Sequence, residues 1–184
     1  MELSDLPRDL QETVKFHGHL CPGLLIGYRT AKAALARLGA GRSEDEELAV
    51  VAENNSCSVD AMQVLLGATF GKGNLKWRDY GKQVFFIYDR KREQALRVSF
   101  VGDHLRTDGP DGQPDREGFS RALLAAPDEE LFKFREVDFF PPPEAVIEPG
   151  IVCDACGERT QESRLVVRSG RSLCRSCAAR EGVS

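Results

Sequence analysis

Cys153-Asp-Ala-Cys156, seventeen residues, then Cys174-Arg-Ser-Cys177: this closing stretch divides the chain into a small metal-built unit and a larger remainder. Each Cys-x2-Cys pair can turn two sulfurs toward one ion. The interval between the pairs is long enough for a short strand, Arg164 to Arg168 with Leu-Val-Val inside, that brings the second pair back to the first. Cys174 and Cys177 open Cys-Arg-Ser-Cys-Ala-Ala-Arg-Glu, which reads as a helix start with two ligands in its first turn. A treble-clef or ribbon-type finger holding one structural zinc is therefore expected. A disulfide pair or a redox dithiol is the competing reading, and it is weaker because two matched pairs serve a metal whereas exchange needs one. Four thiolates also close the coordination shell, so the site builds structure and leaves no position for a substrate. A tail of roughly thirty residues buries too little apolar surface to stand alone, which is the condition under which an ion supplies folding energy.

Upstream of the finger there is material for one principal domain, since the chain has 184 residues and 41% hydrophobic content. Glu2, Asp5 and Asp9 stand at the start without a basic region and apolar run, so no signal peptide is expected. No stretch approaches the ~20 apolar residues that cross a bilayer, so no membrane association is expected either. Metal-type cysteine spacing without disulfide density points to a reducing cytoplasm. The net charge of -4 is uneven: residues 151–184 carry six arginines against four acids, or +2, which leaves -6 elsewhere. Four thiolates on a divalent ion contribute about -2, cancelling the tail's positive charge and removing most of the electrostatic case for a nucleic-acid partner.

A short amphipathic helix is expected at Pro7 to Lys15 and a longer one through Leu24, Tyr28, Ala31, Leu35 and Leu38, ended by glycines. Leu48-Ala-Val-Val-Ala52 has strand length, and Ser58 to Phe70 reads as a helix. Gln83 to Tyr88 and Ala95 to Val101 form a hairpin across a charged turn. Residues 102–120 read as a loop and Pro127 to Phe134 as a last, acidic helix. Helices and strands without regular βαβ alternation favour an α+β class, with helices packed on an antiparallel sheet. The expected division is a core domain at 1–137, a proline-rich linker at 138–150 containing Pro141-Pro-Pro143, and the finger at 151–184.

The remaining two cysteines and two of the three histidines are poorly explained by packing alone. His17-Gly-His19-Leu-Cys21 places three donors within five residues. Pro22 suits the first position of the next helix and so puts Cys21 at its N-cap, where free amides favour thiolate. Cys57 opens the following helix in Glu53-Asn-Asn-Ser-Cys57-Ser-Val-Asp60. If the two helix starts converge, His17, His19, Cys21 and Cys57 form a core metal site. Within it His19, Cys21, Cys57 and Asp60 are the candidate catalytic residues, Asp60 as second shell or proton carrier. The bland alternative is an exposed histidine and two core cysteines. Gly71-Lys72-Gly73-Asn74 can present amides and an ammonium to a carboxylate or phosphate, or serve merely as a helix cap and turn. His104 is a loop histidine and a weaker candidate.

Phe16-His-Gly-His-Leu-Cys-Pro-Gly23, Glu53-Asn-Asn-Ser-Cys-Ser-Val-Asp-Ala-Met-Gln63, Thr69-Phe-Gly-Lys-Gly-Asn-Leu75 and Arg78-Asp-Tyr-Gly-Lys82, in this order, resemble the FmdE family, that of the E subunit of formylmethanofuran dehydrogenase, over roughly residues 12–102. The resemblance implies an α+β core that forms a homodimer, an auxiliary treble-clef finger, and a site built from the His-Gly-His-x-Cys and Asn-x-Cys-x-x-Asp segments. It also implies association with the molybdenum or tungsten enzyme that reduces carbon dioxide to formylmethanofuran. The family pattern carries a further cysteine where this chain has Ala68. A metal-binding accessory or subunit protein is thus the leading expectation, with no redox catalysis by this chain alone. An autonomous metal-dependent enzyme on a small anionic substrate comes second, and a finger adaptor for protein or nucleic acid third.

Overall fold

A computed structural model of the chain describes residues 2–181, so residue 1 of the expected core domain and residues 182–184 of the expected finger lie outside the described residues. It separates into a larger unit ending at Ala145 and a smaller one beginning at Val146. Six helices and nine strands are described: α1 (Arg8–His17), α2 (Pro22–Leu38), β1 (Leu48–Ala52), α3 (Ser58–Leu66), β2 (Leu75–Trp77), β3 (Val84–Asp89), β4 (Gln94–Phe100), α4 (Arg116–Ala125), α5 (Asp128–Leu131) and β5 (Phe132–Glu136) in the larger unit, then β6 (Gly150–Val152), β7 (Arg159–Gln161), β8 (Leu165–Arg168), β9 (Arg171–Cys174) and α6 (Arg175–Arg180) in the smaller.

The larger unit is α+β, with one five-stranded sheet in the order β2-β1-β3-β4-β5. All five residues of β1 are buried, as its apolar run requires of a central strand covered on both faces. Val50, Ala52, Phe85, Ile87, Leu96 and Val98 point to the side where Leu10, Leu24, Leu25, Met62 and Leu66 of the helices pack. Ala49, Val51, Tyr88 and Ala95 point to the other side, where Phe86, Val137 and Phe139 cover them. Arg90 donates to the Pro142 carbonyl, and the Ala145 amide donates to Glu46, so residues up to 145 run along this unit.

Several elements depart from the sequence reading. The connection β1-α3-β2 is a crossover, because β2 runs parallel to β1, pairing Val50 with Leu75. The helix read to Phe70 stops at Leu66, where Gly67 takes a left-handed conformation. Within the loop read at 102–120, a 3-10 turn covers Gly102–Leu105, and α4 starts at Arg116 with Asp115 as its cap, accepting from the Gly118 amide at 2.7 Å. The acidic helix at 127–134 is only the four residues of α5. Phe132 and Phe134 alternate toward the core instead, and β5 pairs with β4. That pairing occupies the hairpin's outer edge while β1 holds its inner one, so the hairpin exposes no free backbone row.

Two contacts set the helix layer on the sheet. Arg29 of α2 donates to the carbonyls of Leu123, Leu124 and Ala126 and pairs with Asp128 at 2.7 Å, filling the orphan acceptors at the end of α4. The other is the crossing of α2 over α3 at Gly27, where a Cβ would come within 2.6 Å of the Ser58 Cα and 2.7 Å of its carbonyl carbon. Both neighbours are backbone and cannot turn aside. Gly27→Ala should cost roughly 1–3 kcal/mol or more in denaturant unfolding, whereas Gly41→Ala, with nothing within 4 Å, should be near neutral. Equal midpoints for the two variants would show the crossing is not tight.

At the entry to β1, the Glu47 carboxylate accepts from the Ser43 hydroxyl at 2.7 Å and the Asp45 amide at 2.9 Å. The Ser43 hydroxyl and the Asp45 amide hold its pKa down to about 2, from an ordinary 4.5. A carboxyl depressed on folding stabilises above its unfolded value and loses that contribution as the pH falls through its folded one. The stability gap between wild type and Glu47→Gln should therefore be full above about pH 4.5 and close toward pH 2. A gap independent of pH would contradict this.

Candidate functional site

The finger is the simpler of the two cysteine clusters. β6 and β7 pair on either side of Cys153 and Cys156, β8 and β9 form a second hairpin, and α6 starts between Cys174 and Cys177. This is a treble-clef arrangement. The four sulfurs lie within 4.8 Å of one another, with Cys156 and Cys174 4.0 Å apart. Four thiolates at about 2.3 Å from one tetrahedral ion stand about 3.8 Å apart, so the donors fit a structural zinc. Backbone amides of Cys174, Cys156 and Ala155 hold the Cys153 thiol down to about 6, and the Ser176 hydroxyl followed by the Cys177 amide lowers Cys174. Besides the cysteines, only Leu173 and Ala178 are fully buried among the described residues here, with Val166 packed against them. So small a core needs its ion. Cys174→Ala should abolish zinc binding at the finger and unfold residues 146 onward while the larger unit keeps its own melting transition; zinc content unchanged by truncation near Glu148 would place the metal elsewhere.

The second cluster lies on the helix side of the sheet. His17 is the last residue of α1, and Gly18, at φ +100°, makes a left-handed turn that only glycine adopts without strain. The chain then enters α2 through Cys21, which is its N-cap as expected, its sulfur accepting from the Leu24 amide at 3.4 Å. Cys57 is the N-cap of α3. The donor atoms of His17, Cys21 and Cys57 lie within 4.8 Å of one another. Gly23, one turn above Gly27 on the same face of α2, lets the helix starts meet: a Cβ there would be 3.2 Å from the Cys57 Cβ and 3.9 Å from the Cys21 sulfur.

Asp60 orders this group. Its Oδ2 stands 2.7 Å from His17 Nδ1, a contact in which an ionised carboxylate accepts, and His17 Nε2 faces the Cys21 sulfur at 3.8 Å. Gln63 donates to the other oxygen of Asp60 at 3.2 Å. Burial, then hydrogen bonding with Cys21, pushes the Cys57 thiol up. Histidines that ligate a metal commonly donate their other ring nitrogen to a carboxylate in this way, and the three donors together could hold an ion. His19 stacks on His17 with ring centroids 4.7 Å apart but is exposed and contributes no donor to the three-residue group.

The expected anion turn has other work. Lys72 donates its ammonium to the carbonyls of Glu44 and Asp45 at 3.0 and 2.7 Å. Asn74 is fully buried and donates to Leu48 at 2.8 Å while accepting from the Thr69 amide at 2.9 Å. Gly71 and Gly73 complete the turn that ties the end of α3 to the start of β1. His104 sits 3.2 Å from Glu130, apart from the donor group.

Sequence reasoning missed the wall opposite Cys57. A cavity of about 580 Å³ opens beside it, lined by Gly23, Ile26, Ser56 and Gln83 and, as a second set later in the chain, by Phe100, Arg106, Asp108, Arg116 and Phe119. Apart from Phe100 at the end of β4, the second set comes from the segment read as loop, whose glycines and aspartates gave no pattern to read.

The family model described as "FmdE, Molybdenum formylmethanofuran dehydrogenase operon" matches residues 16–133, well over half of the chain. The chain belongs to the FmdE family. A second model, the prokaryotic dksA/traR C4-type zinc finger, matches residues 150–181 and covers all four finger cysteines of this FmdE-type chain. A curated relative, named a probable S-adenosyl-L-methionine-binding protein, from Archaeoglobus fulgidus, is 30% identical over 201 aligned residues, covering 95% of this chain and 54% of the relative. The chain thus spans about half that protein's length. The crystal structure of a tungsten formylmethanofuran dehydrogenase FmdE-like protein from Syntrophus aciditrophicus matches with a TM-score of 0.67 and 22% identity, covering 94% of this chain and 92% of that one. It supports the α+β fold. No described helix is long and apolar enough to cross a membrane.

Proposed function

We propose that the FmdE-type core holds one metal ion between His17, Cys21 and Cys57 and acts on a small ligand entering from the adjoining cavity, as an accessory protein in one-carbon chemistry, a role in keeping with the formylmethanofuran dehydrogenase operon that the family's description names. The observation that carries this reading is the placement of Cys57, which belongs both to the donor group and to the cavity wall. Imidazole nitrogen with two thiolates is a donor set for zinc, and three protein ligands leave a position for something else. When bound, such an ion supplies Lewis acidity.

The chain's own residues do the rest. Asp60 keeps the proton on His17 Nδ1 so that Nε2 stays available, and the Leu24 amide supports negative charge on Cys21. Ser56, Ser58, Asn54 and Gln83 form a closed hydrogen-bonded set that fixes the backbone on either side of Cys57. In this reading two thiols serve the core ion and four serve the finger, so no cysteine remains for an iron-sulfur relay. Redox turnover then belongs to a partner.

Purified protein should carry about two zinc ions per chain, one of them lost in Cys21→Ala with the finger ion retained. Asp60→Asn should keep the core ion at about 10–100-fold weaker affinity. Metal content unchanged by Cys21→Ala would sink the core centre. A second reading draws on the relative named for S-adenosylmethionine binding: the cavity's aromatic residues Phe100 and Phe119 and its carboxylate Asp108 suit a cationic, adenine-bearing ligand. Saturable calorimetric heat with S-adenosylmethionine would favour it, and its absence would leave the first reading alone.

A further inference from the structure

The cavity beside Cys57 offers more than space. Its volume of about 580 Å³ lies within the roughly 300–1,000 Å³ of small-molecule sites. Its apolar lining is formed by Ile26, Phe100 and Phe119, and these meet polar groups whose commitments differ. Asp103 is paired with Arg106 at 2.8 Å, and the Arg106 guanidinium lies over the Phe119 ring at 4.4 Å. Asp115 is occupied as the cap of α4. Arg116 and Asp108 have no side-chain partner among the described residues.

Arg116 also lines a second, smaller hollow together with His19, so this one residue borders both the cavity and the hollow beside the loop that carries the donor group. It is an uncommitted cation where the Cys57 cavity meets the hollow beside the His17-Gly-His19 loop. Lys72, the cation expected from sequence to meet an anion, is taken up by backbone carbonyls.

We infer that this cavity binds an organic monocarboxylate, its acid group paired with Arg116 and its apolar body laid on Ile26, Phe100 and Phe119. The planar guanidinium takes a carboxylate through two parallel hydrogen bonds. Asp108 sets the charge at one, because a free carboxylate on the same wall repels a second negative group. The inference rests on the proposed core site only in that the bound molecule would lie against Cys57; the cavity and its charges stand independently of any ion.

Calorimetric titration of the full zinc-loaded chain with butanoate, hexanoate, octanoate, hexanamide and adipate tests it. Hexanoate should bind one per chain, more tightly than butanoate as apolar contact grows, with hexanamide and adipate each weaker by about tenfold or more. Arg116→Gln, an exposed position whose change should leave the circular dichroism spectrum intact, should weaken hexanoate by a similar factor and leave zinc content unchanged. Hexanamide binding as well as hexanoate, no heat from any of the acids, or hexanoate affinity indifferent to Arg116→Gln would each overturn the inference. Hexanoate bound normally by a protein lacking core metal would instead remove only the metal reading, and core metal present with no hexanoate binding would remove only the cavity assignment.

Discussion

The larger unit depends on how closely α2 can lie across α3. Gly23 and Gly27, four residues apart on one face of α2, form a seam without side chains against which the start of α3 rests. A side chain at Gly27 would collide with Ser58 backbone, and the helix axes would have to separate. Cys21 and Cys57, each at the N-cap of one of these helices, would then no longer face one another. The donor group is thus a by-product of helix packing: it exists because two helices lacking bulk at their crossing are pressed together by the apolar core on the sheet side.

The two cysteine clusters stand in opposite relations to folding. In the finger, the buried set apart from cysteine is Leu173 and Ala178 among the described residues, so the ion must organise the chain. In the larger unit more than two dozen buried residues from α1 to β5 form one contiguous core that needs no ion to close. A cluster that the fold does not require for stability, and that borders a cavity, is free to serve a ligand instead. The oriented His17 strengthens that contrast, since Asp60 holds one particular nitrogen toward the thiols although packing alone would not ask for it.

The segment from Gly102 to Phe119 makes the second half of the cavity. It leaves the sheet at the end of β4, closes a small loop through a bridge between Asp108 and Pro114, and returns as α4 under the Asp115 cap. Its anchoring is strong at the ends, where Phe119 and Leu123 are buried and Arg29 caps α4. Its middle carries charged groups, two of them tied to each other and two uncommitted.

Much was legible in the residues themselves. The finger followed from two Cys-x2-Cys pairs because metal ligation is local: a tight turn can place only certain spacings on one ion. The N-cap positions of Cys21 and Cys57, the apolar run of β1 and the hairpin of β3 and β4 were equally local, set by proline, glycine and periodicity. Tertiary structure decided what no local pattern encodes. It brought Cys21 to Cys57 through a crossing of helices thirty-odd residues apart, turned Lys72 and Asn74 inward to the chain's own carbonyls, and made β5 from a segment whose acidic start reads as helix, because an unpaired β4 edge gains a full row of hydrogen bonds by taking it. It also converted an uninformative loop into the wall carrying Arg116, since which charges remain uncommitted depends on neighbours that only the folded chain supplies.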